Sequence, residues 1–119
     1  MDIVFIRELC IETIIGIYAW ERKVRQCVVL DLEMATDIQA AANSGAIADT
    51  LDYHAISTRL DAYVREQQFE LLETLAERCA ELIRREFAVT WLRLRVAKPT
   101  AIASAQAVGV VIERGVKPT

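Results

Sequence analysis

VRQCVVLDLEMATDI, residues 24–38, is the stretch that decides the fold. Its apolar side chains fall on one parity and its acidic side chains on the other: Val28, Leu30, Leu32, Met34 and Ile38 against Asp31, Glu33 and Asp37. Side chains of a β-strand point to alternate faces of the sheet. The pattern therefore predicts a long strand with one buried side and one side facing solvent.

The residues before this strand predict a partner for it. Ile3–Ile17 is rich in β-branched and aromatic residues, which favour strands. We expect the two strands to form an antiparallel hairpin that turns near Tyr18–Lys23. After the hairpin, Asn43-Ser44-Gly45 predicts a loop.

Two helices follow the loop. The first has Asp52 as its N-cap, and the second begins near Leu72. Helical spacing of apolar residues defines a buried face on each: Ile56, Leu60, Tyr63 and Val64, then Leu72, Leu75, Ala76, Cys79, Ile83 and Phe87. Residues 67–70 mark the break between them.

Two further strands complete the chain. Trp91–Lys98 alternates again, with Leu92, Leu94 and Val96 on one side, and Pro99 ends it. Val108–Arg114 is the last strand, and the tail Gly115–Thr119 is expected to fray. The order ββααββ predicts an α+β fold: one domain over residues 1–119, with a four-stranded antiparallel sheet and two helices on one face. Its two open edges favour subunits that join edge to edge into a barrel.

Composition excludes several classes of protein. The chain has 119 residues and a formal net charge of -3, without the basic stripe of a nucleic-acid-binding protein. No apolar run reaches the roughly 18 residues of a membrane span, and the N-terminus is unlike a signal peptide. A cytoplasmic location is therefore expected. The three cysteines, Cys10, Cys27 and Cys79, are predicted to be reduced, and a single histidine rules out a His-rich metal site.

Lys98 is the least expected residue of the predicted strands. It has the parity of Leu92, Leu94 and Val96, which places an ammonium on the buried side. Burial penalises the charged form, so a neutral amine becomes accessible as a general base. The alternative is a lysine at the strand end whose head group extends into water.

Two acidic residues and a tyrosine also allow two interpretations each. Glu21, at the hairpin turn, either binds a substrate hydroxyl or is a solvated carboxylate among basic neighbours. Glu73, in the first turn of the second helix, either pairs with two N–H groups of a ligand or complements the helix dipole. Tyr53 either relays a proton or is a half-buried packing residue.

Five segments together resemble dihydroneopterin aldolase from Met1 to about Gly115. They are Gly16-Ile17-Tyr18-Ala19-Trp20-Glu21-Arg22, Leu51-Asp52-Tyr53, Phe69-Glu70-Leu71-Leu72-Glu73-Thr74-Leu75-Ala76, Ala97-Lys98-Pro99 and Val108-Gly109-Val110. Each is weak alone, but their order and spacing are specific. The resemblance implies the T-fold, in which subunits join their sheets around a tunnel as tetramers or octamers, with active sites between neighbouring subunits.

The resemblance also implies the reaction. Members of this family split 7,8-dihydroneopterin into 6-hydroxymethyl-7,8-dihydropterin and glycolaldehyde in folate synthesis, and commonly epimerise the side chain at C2′. The pterin's own C6=N5 imine accepts the electrons, so neither a metal nor another cofactor is expected. The protein then has only to position the substrate and transfer protons.

The resemblance assigns a role to each candidate residue. Lys98 is the central acid–base group, Glu21 supports it and binds the hydroxylated tail, and Tyr53 from a neighbouring subunit completes a proton relay. Glu73 binds the amino-pyrimidine edge of the pterin, and backbone groups near Leu72 and Asp52 contribute. Thr100 stands where the family often has glycine or asparagine, which would alter only the loop bordering the site.

Two rival functions remain open from the sequence. A related epimerase acts on dihydroneopterin triphosphate and would need extra cationic contacts. A barrel-forming binding protein without catalysis would keep the strand and helix pattern, but has no reason to keep Lys98, Glu21, Glu73 and Tyr53 together.

Overall fold

The computed structural model describes residues 1–99 and 103–118. The strands are β1 (Asp2–Thr13), β2 (Gln26–Thr36), β3 (Trp91–Lys98) and β4 (Val108–Gly115), and the helices are α1 (Gln39–Ser44), α2 (Tyr53–Glu66) and α3 (Leu72–Phe87). Short 3-10 turns lie at Glu21–Lys23 and Ile47–Asp49. The strands form one antiparallel sheet in the order β1-β2-β3-β4, so the predicted four-stranded sheet is confirmed.

The face predicted for β2 is the buried one. Val28, Leu30, Leu32 and Met34 are each at most 1% exposed, whereas Asp31 and Glu33 lie on the other face. There they form ion pairs with β3, at 3.3 Å to Arg95 and 3.5 Å to Arg93. The placement of Ile38 on the buried face was wrong, because the strand ends at Thr36 and Ile38 is 45% exposed.

Helices α2 and α3 cover the buried face of the sheet. Asp52 caps α2 as predicted: its carboxylate accepts a hydrogen bond from the Ala55 N–H at 3.0 Å. The core contains side chains of both helices together with the apolar side of the strands. Burial raises the pKa of the Cys79 thiol to about 12, which fits its predicted place in the core.

Helix α1 was not predicted. Its sequence, Gln39–Ser44, holds three consecutive alanines and has no apolar residues at helical spacing. The predicted loop signal is correct at its end, because Gly45 adopts a left-handed conformation with φ 68° and terminates α1. None of the helices in the described part of the chain has the length and hydrophobicity that a membrane span needs.

Two further predictions need correction. Cys10 and Cys27 form a disulfide between β1 and β2, with Cα atoms 6.1 Å apart, so only Cys79 is a free thiol. The strand register places these two cysteines diagonally across neighbouring strands on the face opposite the helices.

Gly115, expected in the tail, belongs to β4 and pairs with Trp91. Thr100 and Thr119 lie outside the described residues.

Candidate functional site

A buried ion pair joins the end of β3 to the turn after β1. The Lys98 ammonium donates to Oε2 of Glu21 at 2.7 Å, and the two side chains are only 11% and 7% exposed. Strand alternation continues to the last residue of β3, and this places Lys98 on the inner side. The alternatives of a solvent-extended lysine and of a solvated turn carboxylate are therefore wrong.

Within the described part of the chain, three donors converge on the Glu21 carboxylate. Besides Lys98, the Gln26 amide nitrogen donates to Oε2 at 3.2 Å and the Tyr18 N–H donates to Oε1 at 3.3 Å. The hydrogen bond from Lys98 lowers the pKa of the Glu21 carboxyl most, and those from Gln26 and Tyr18 act in the same direction, while burial opposes them. Glu21 is therefore ionised at neutral pH.

Gly16 provides the space in which this carboxylate sits. Its φ is +126°, a region that residues with a side chain rarely adopt. A Cβ at Gly16 would lie 2.2 to 2.4 Å from the three carboxyl atoms of Glu21. The first residue of the Gly16–Arg22 motif is therefore a glycine for two reasons, its backbone conformation and its contact with Glu21.

Arg22 ties this turn to the loop between α2 and α3. Its guanidinium donates to the carbonyl oxygens of Gly16 at 2.9 Å, Phe69 at 3.0 Å and Gln68 at 2.7 Å. The Gly16 N–H also donates to the Phe69 carbonyl at 3.2 Å. The loop that leads into α3 is thereby fixed next to the turn that carries Glu21.

Glu73 lies just beyond that loop, in the first turn of α3. The N-cap of α3 is Leu71, which has no side chain able to bond the first N–H groups. The backbone N–H groups of Leu72 and Glu73 therefore have neither a helical nor a side-chain acceptor in the cap. Glu73 itself is exposed, and its carboxylate has no ion-pair partner within the described ranges.

Tyr53 belongs to a different part of the surface. It is the first residue of α2, is 59% exposed and borders an open depression of about 460 Å³ that Asp52 and Ile47 also line. Of the predicted site residues, the chain brings Lys98 and Glu21 into contact and fixes the loop before Glu73 next to them. Tyr53 and Asp52 line this separate depression instead.

Sequence reasoning missed Arg22 and Gln26 as site residues. Arg22 bonds backbone carbonyls, whose positions no residue pattern indicates. Gln26 was treated as part of a strand, although its amide lies between the Ile15 carbonyl and Glu21. The one available signal was that both residues lie within five positions of Glu21.

Known proteins resemble this chain over nearly its whole length. The family model FolB, described as dihydroneopterin aldolase, matches residues 4–113. The dihydroneopterin aldolase of Escherichia coli K12 is 45% identical over 115 residues, which cover 97% of this chain and 94% of that protein. That of Haemophilus influenzae is 39% identical over 115 residues, which cover 97% and 98%.

A solved aldolase structure is also similar to this chain, whereas an epimerase with a related activity is less so. The E. coli dihydroneopterin aldolase in complex with neopterin matches with a TM-score of 0.94 and 45% identity, over 97% of this chain and 100% of that one. A dihydroneopterin triphosphate 2′-epimerase of Pseudomonas aeruginosa is only 27% identical over 107 residues, which cover 90% of this chain and 87% of that protein. The predicted fold of the single chain, a four-stranded antiparallel sheet with helices, matches that of a solved dihydroneopterin aldolase. The chain belongs to the dihydroneopterin aldolase family of aldehyde-lyases.

Proposed function

We propose that this protein cleaves 7,8-dihydroneopterin into 6-hydroxymethyl-7,8-dihydropterin and glycolaldehyde, with the Lys98–Glu21 pair as its proton-transfer centre. The observation that carries this proposal is the buried 2.7 Å contact between the two side chains. An ammonium and a carboxylate held in contact out of water can exchange a proton with little rearrangement. The E. coli relative whose fold matches was solved with neopterin, a pterin with the same kind of side chain.

The reaction needs a place for the electrons of the bond that breaks. Loss of the 2′-hydroxyl proton forms the aldehyde and breaks the C1′–C2′ bond, and the electron pair passes into the C6=N5 imine while N5 takes up a proton. The resulting enamine then takes a proton at C1′ and loses the one on N5, which restores the imine. Apart from the cleavage of the C1′–C2′ bond itself, the events are proton transfers, so Lys98 with Glu21 can be their centre without a cofactor.

The start of α3 is the proposed pterin-binding element. A pterin carries an amino group beside a ring N–H, and a carboxylate can accept hydrogen bonds from both at once. Glu73 is exposed and has no competing ion pair among the described residues. The backbone N–H groups at Leu72 and Glu73 add donors for the acceptor atoms of the ring. Arg22 supports this arrangement because it holds the loop before α3 against the Glu21 turn.

A second subunit is proposed to complete the site. Large apolar side chains are exposed on the Glu21 turn, where Ile17, Tyr18 and Trp20 are 60%, 63% and 61% exposed. Clustered apolar exposure of this kind marks contact surfaces. We assign the neighbouring copy's Tyr53 and the backbone near its Asp52 to the site, in a homo-oligomer of four or eight chains. The expected cytoplasmic location is part of the same proposal.

The epimerase acting on the triphosphate is the alternative for this fold. A triphosphate demands free cationic groups near the substrate tail. At the described site, the Lys98 ammonium is paired with Glu21 and the Arg22 guanidinium is bonded to three carbonyls. These two cations are therefore already engaged. Together with 45% identity to the E. coli aldolase against 27% to the P. aeruginosa epimerase, this favours the unphosphorylated substrate.

Product analysis tests the proposal directly. Purified protein is incubated with 7,8-dihydroneopterin and, separately, with its triphosphate, and the pterin products and glycolaldehyde are quantified by chromatography. Release of glycolaldehyde from the first substrate is expected, with any C2′ epimer as a minor product. Epimer without glycolaldehyde would support the alternative, and no turnover with no quenching of neopterin fluorescence would indicate a non-catalytic barrel protein.

Two controls test the absence of cofactors. Turnover should survive prolonged chelation with EDTA, and borohydride added during turnover should trap no substrate on a lysine. Loss of activity on chelation, or a pterin-derived adduct in the mass spectrum, would contradict the proposed mechanism.

A further inference from the structure

Among residues 1–99 and 103–118, Gln26 is the one uncharged side chain that bonds the ion pair. It opens β2, opposite Thr13 of β1, and its amide nitrogen donates to the Ile15 carbonyl at 3.0 Å and to Oε2 of Glu21 at 3.2 Å. Lys98 donates to the same Oε2 at 2.7 Å. This oxygen therefore receives two donors, one from the start of β2 and one from the end of β3, which lie at the same end of the antiparallel sheet.

The orientation of the Gln26 amide is fixed by its surroundings. Both neighbours of the amide nitrogen are acceptors, a carbonyl and a carboxylate. The flipped amide would place its oxygen against two oxygens and leave each without this donor. The Ile15 carbonyl thus anchors Gln26 so that it always presents an N–H to Glu21.

We propose that Gln26 is a positioning residue for the acid–base pair, which holds Oε2 of Glu21 in line with the Lys98 ammonium throughout the proton transfers. This inference rests on the proposed function of Lys98 and Glu21. Three residues define the position of the Glu21 carboxylate: Gly16 leaves the space for it, the Tyr18 N–H bonds Oε1, and Gln26 bonds Oε2. Of these three, Gln26 is the one that acts through its side chain, so its contact can be removed by a substitution that does not require a new backbone conformation.

Two nearly isosteric variants separate positioning from a merely structural role. Gln26→Met removes the donor, and we expect kcat to fall about tenfold while the affinity for neopterin changes less than about twofold. Gln26→Glu replaces the donor by an acceptor at high pH. The introduced carboxyl lies against the Glu21 carboxylate, and such carboxyl pairs take up a proton more readily. Protonation restores a donor to Glu21.

The pH dependence is the distinguishing readout. The ratio of kcat for Gln26→Glu to kcat for the unchanged protein should rise at least about threefold from pH 8 to pH 5.5. The ratio for Gln26→Met should stay flat. The inference would be overturned if kcat of Gln26→Met equalled that of the unchanged protein, or if the ratio for Gln26→Glu did not change with pH. It would also be overturned if the variants lost neopterin affinity by as large a factor as they lost kcat. Full activity in Lys98→Met would instead refute the role of the Lys98–Glu21 pair in proton transfer, on which this inference rests.

Discussion

Replacing Glu21 by glutamine tests the ion pair as a stability element. The variant keeps the size of the side chain and removes its charge, so the Lys98 ammonium loses its counter-charge while only 11% of its side chain is exposed. Removing one partner of a buried pair costs about 3–5 kcal/mol of unfolding free energy. We expect about 3 kcal/mol, because the amide oxygen still accepts a hydrogen bond from Lys98. Lys98→Met should cost less, about 2 kcal/mol, since Gln26 and Tyr18 still bond the carboxylate.

Urea denaturation at one fixed protein concentration measures these losses. With an m-value of about 2 kcal/mol/M, a loss of 3 kcal/mol lowers the midpoint by about 1.5 M. The double variant should lose no more than the larger single loss, which gives an interaction energy of about 2 kcal/mol. The control is Glu33→Gln, which breaks an ion pair at 3.5 Å between exposed side chains and should cost no more than about 1 kcal/mol. A loss of unfolding free energy in the double variant equal to the sum of the two single losses would show that the two side chains do not stabilise each other. A loss in Glu21→Gln no larger than that in Glu33→Gln would also contradict a stabilising buried ion pair.

Three further predictions follow from the same geometry. Gly16→Ala should lower kcat about a hundredfold, because the new methyl displaces Glu21, whereas Gly45→Ala, with nothing within 4 Å of its Cβ, should keep full kcat. Because its pKa is lowered in the fold, the Glu21 carboxyl stabilises the protein above pH about 4.5. This stability should be lost as pH falls through the folded-state pKa, and acid titration of Glu21→Gln should lack this loss. Without reductant, the denatured chain should react with one iodoacetamide, at Cys79, and after reduction it should react with three. Reduction of the Cys10–Cys27 disulfide should lower the free energy of unfolding by about 3 kcal/mol.

The sheet and one half of the site could be predicted because strand alternation is strictly periodic. The parity that buries Leu92, Leu94 and Val96 also buries Lys98, two residues further along the same strand. The helix start at Asp52 was equally predictable, since capping depends on one side chain and the residues directly after it. These features depend on residues that are near each other in the sequence.

The remaining features depend on register and on backbone atoms. Cys10 and Cys27 are 17 residues apart, and only the register of β1 against β2 brings them together. Arg22 bonds carbonyl oxygens that every residue possesses, so its partners leave no trace in the sequence. Helix α1 has no apolar periodicity, and none of its residues is buried. The family resemblance named Glu73 and Tyr53, but the contacts among the described residues of a single chain do not join them to Lys98.

The turnover of Lys98→Met is the most direct test of proton transfer by the buried pair. The variant is first checked for folding and for neopterin affinity, which should stay within a few-fold of the unchanged protein. Glycolaldehyde release from 7,8-dihydroneopterin should then fall by about 10²–10⁴, the usual contribution of an acid–base residue. Release within a few-fold of the unchanged protein would mean that another group moves the proton and that the Lys98–Glu21 pair serves only to hold the fold together.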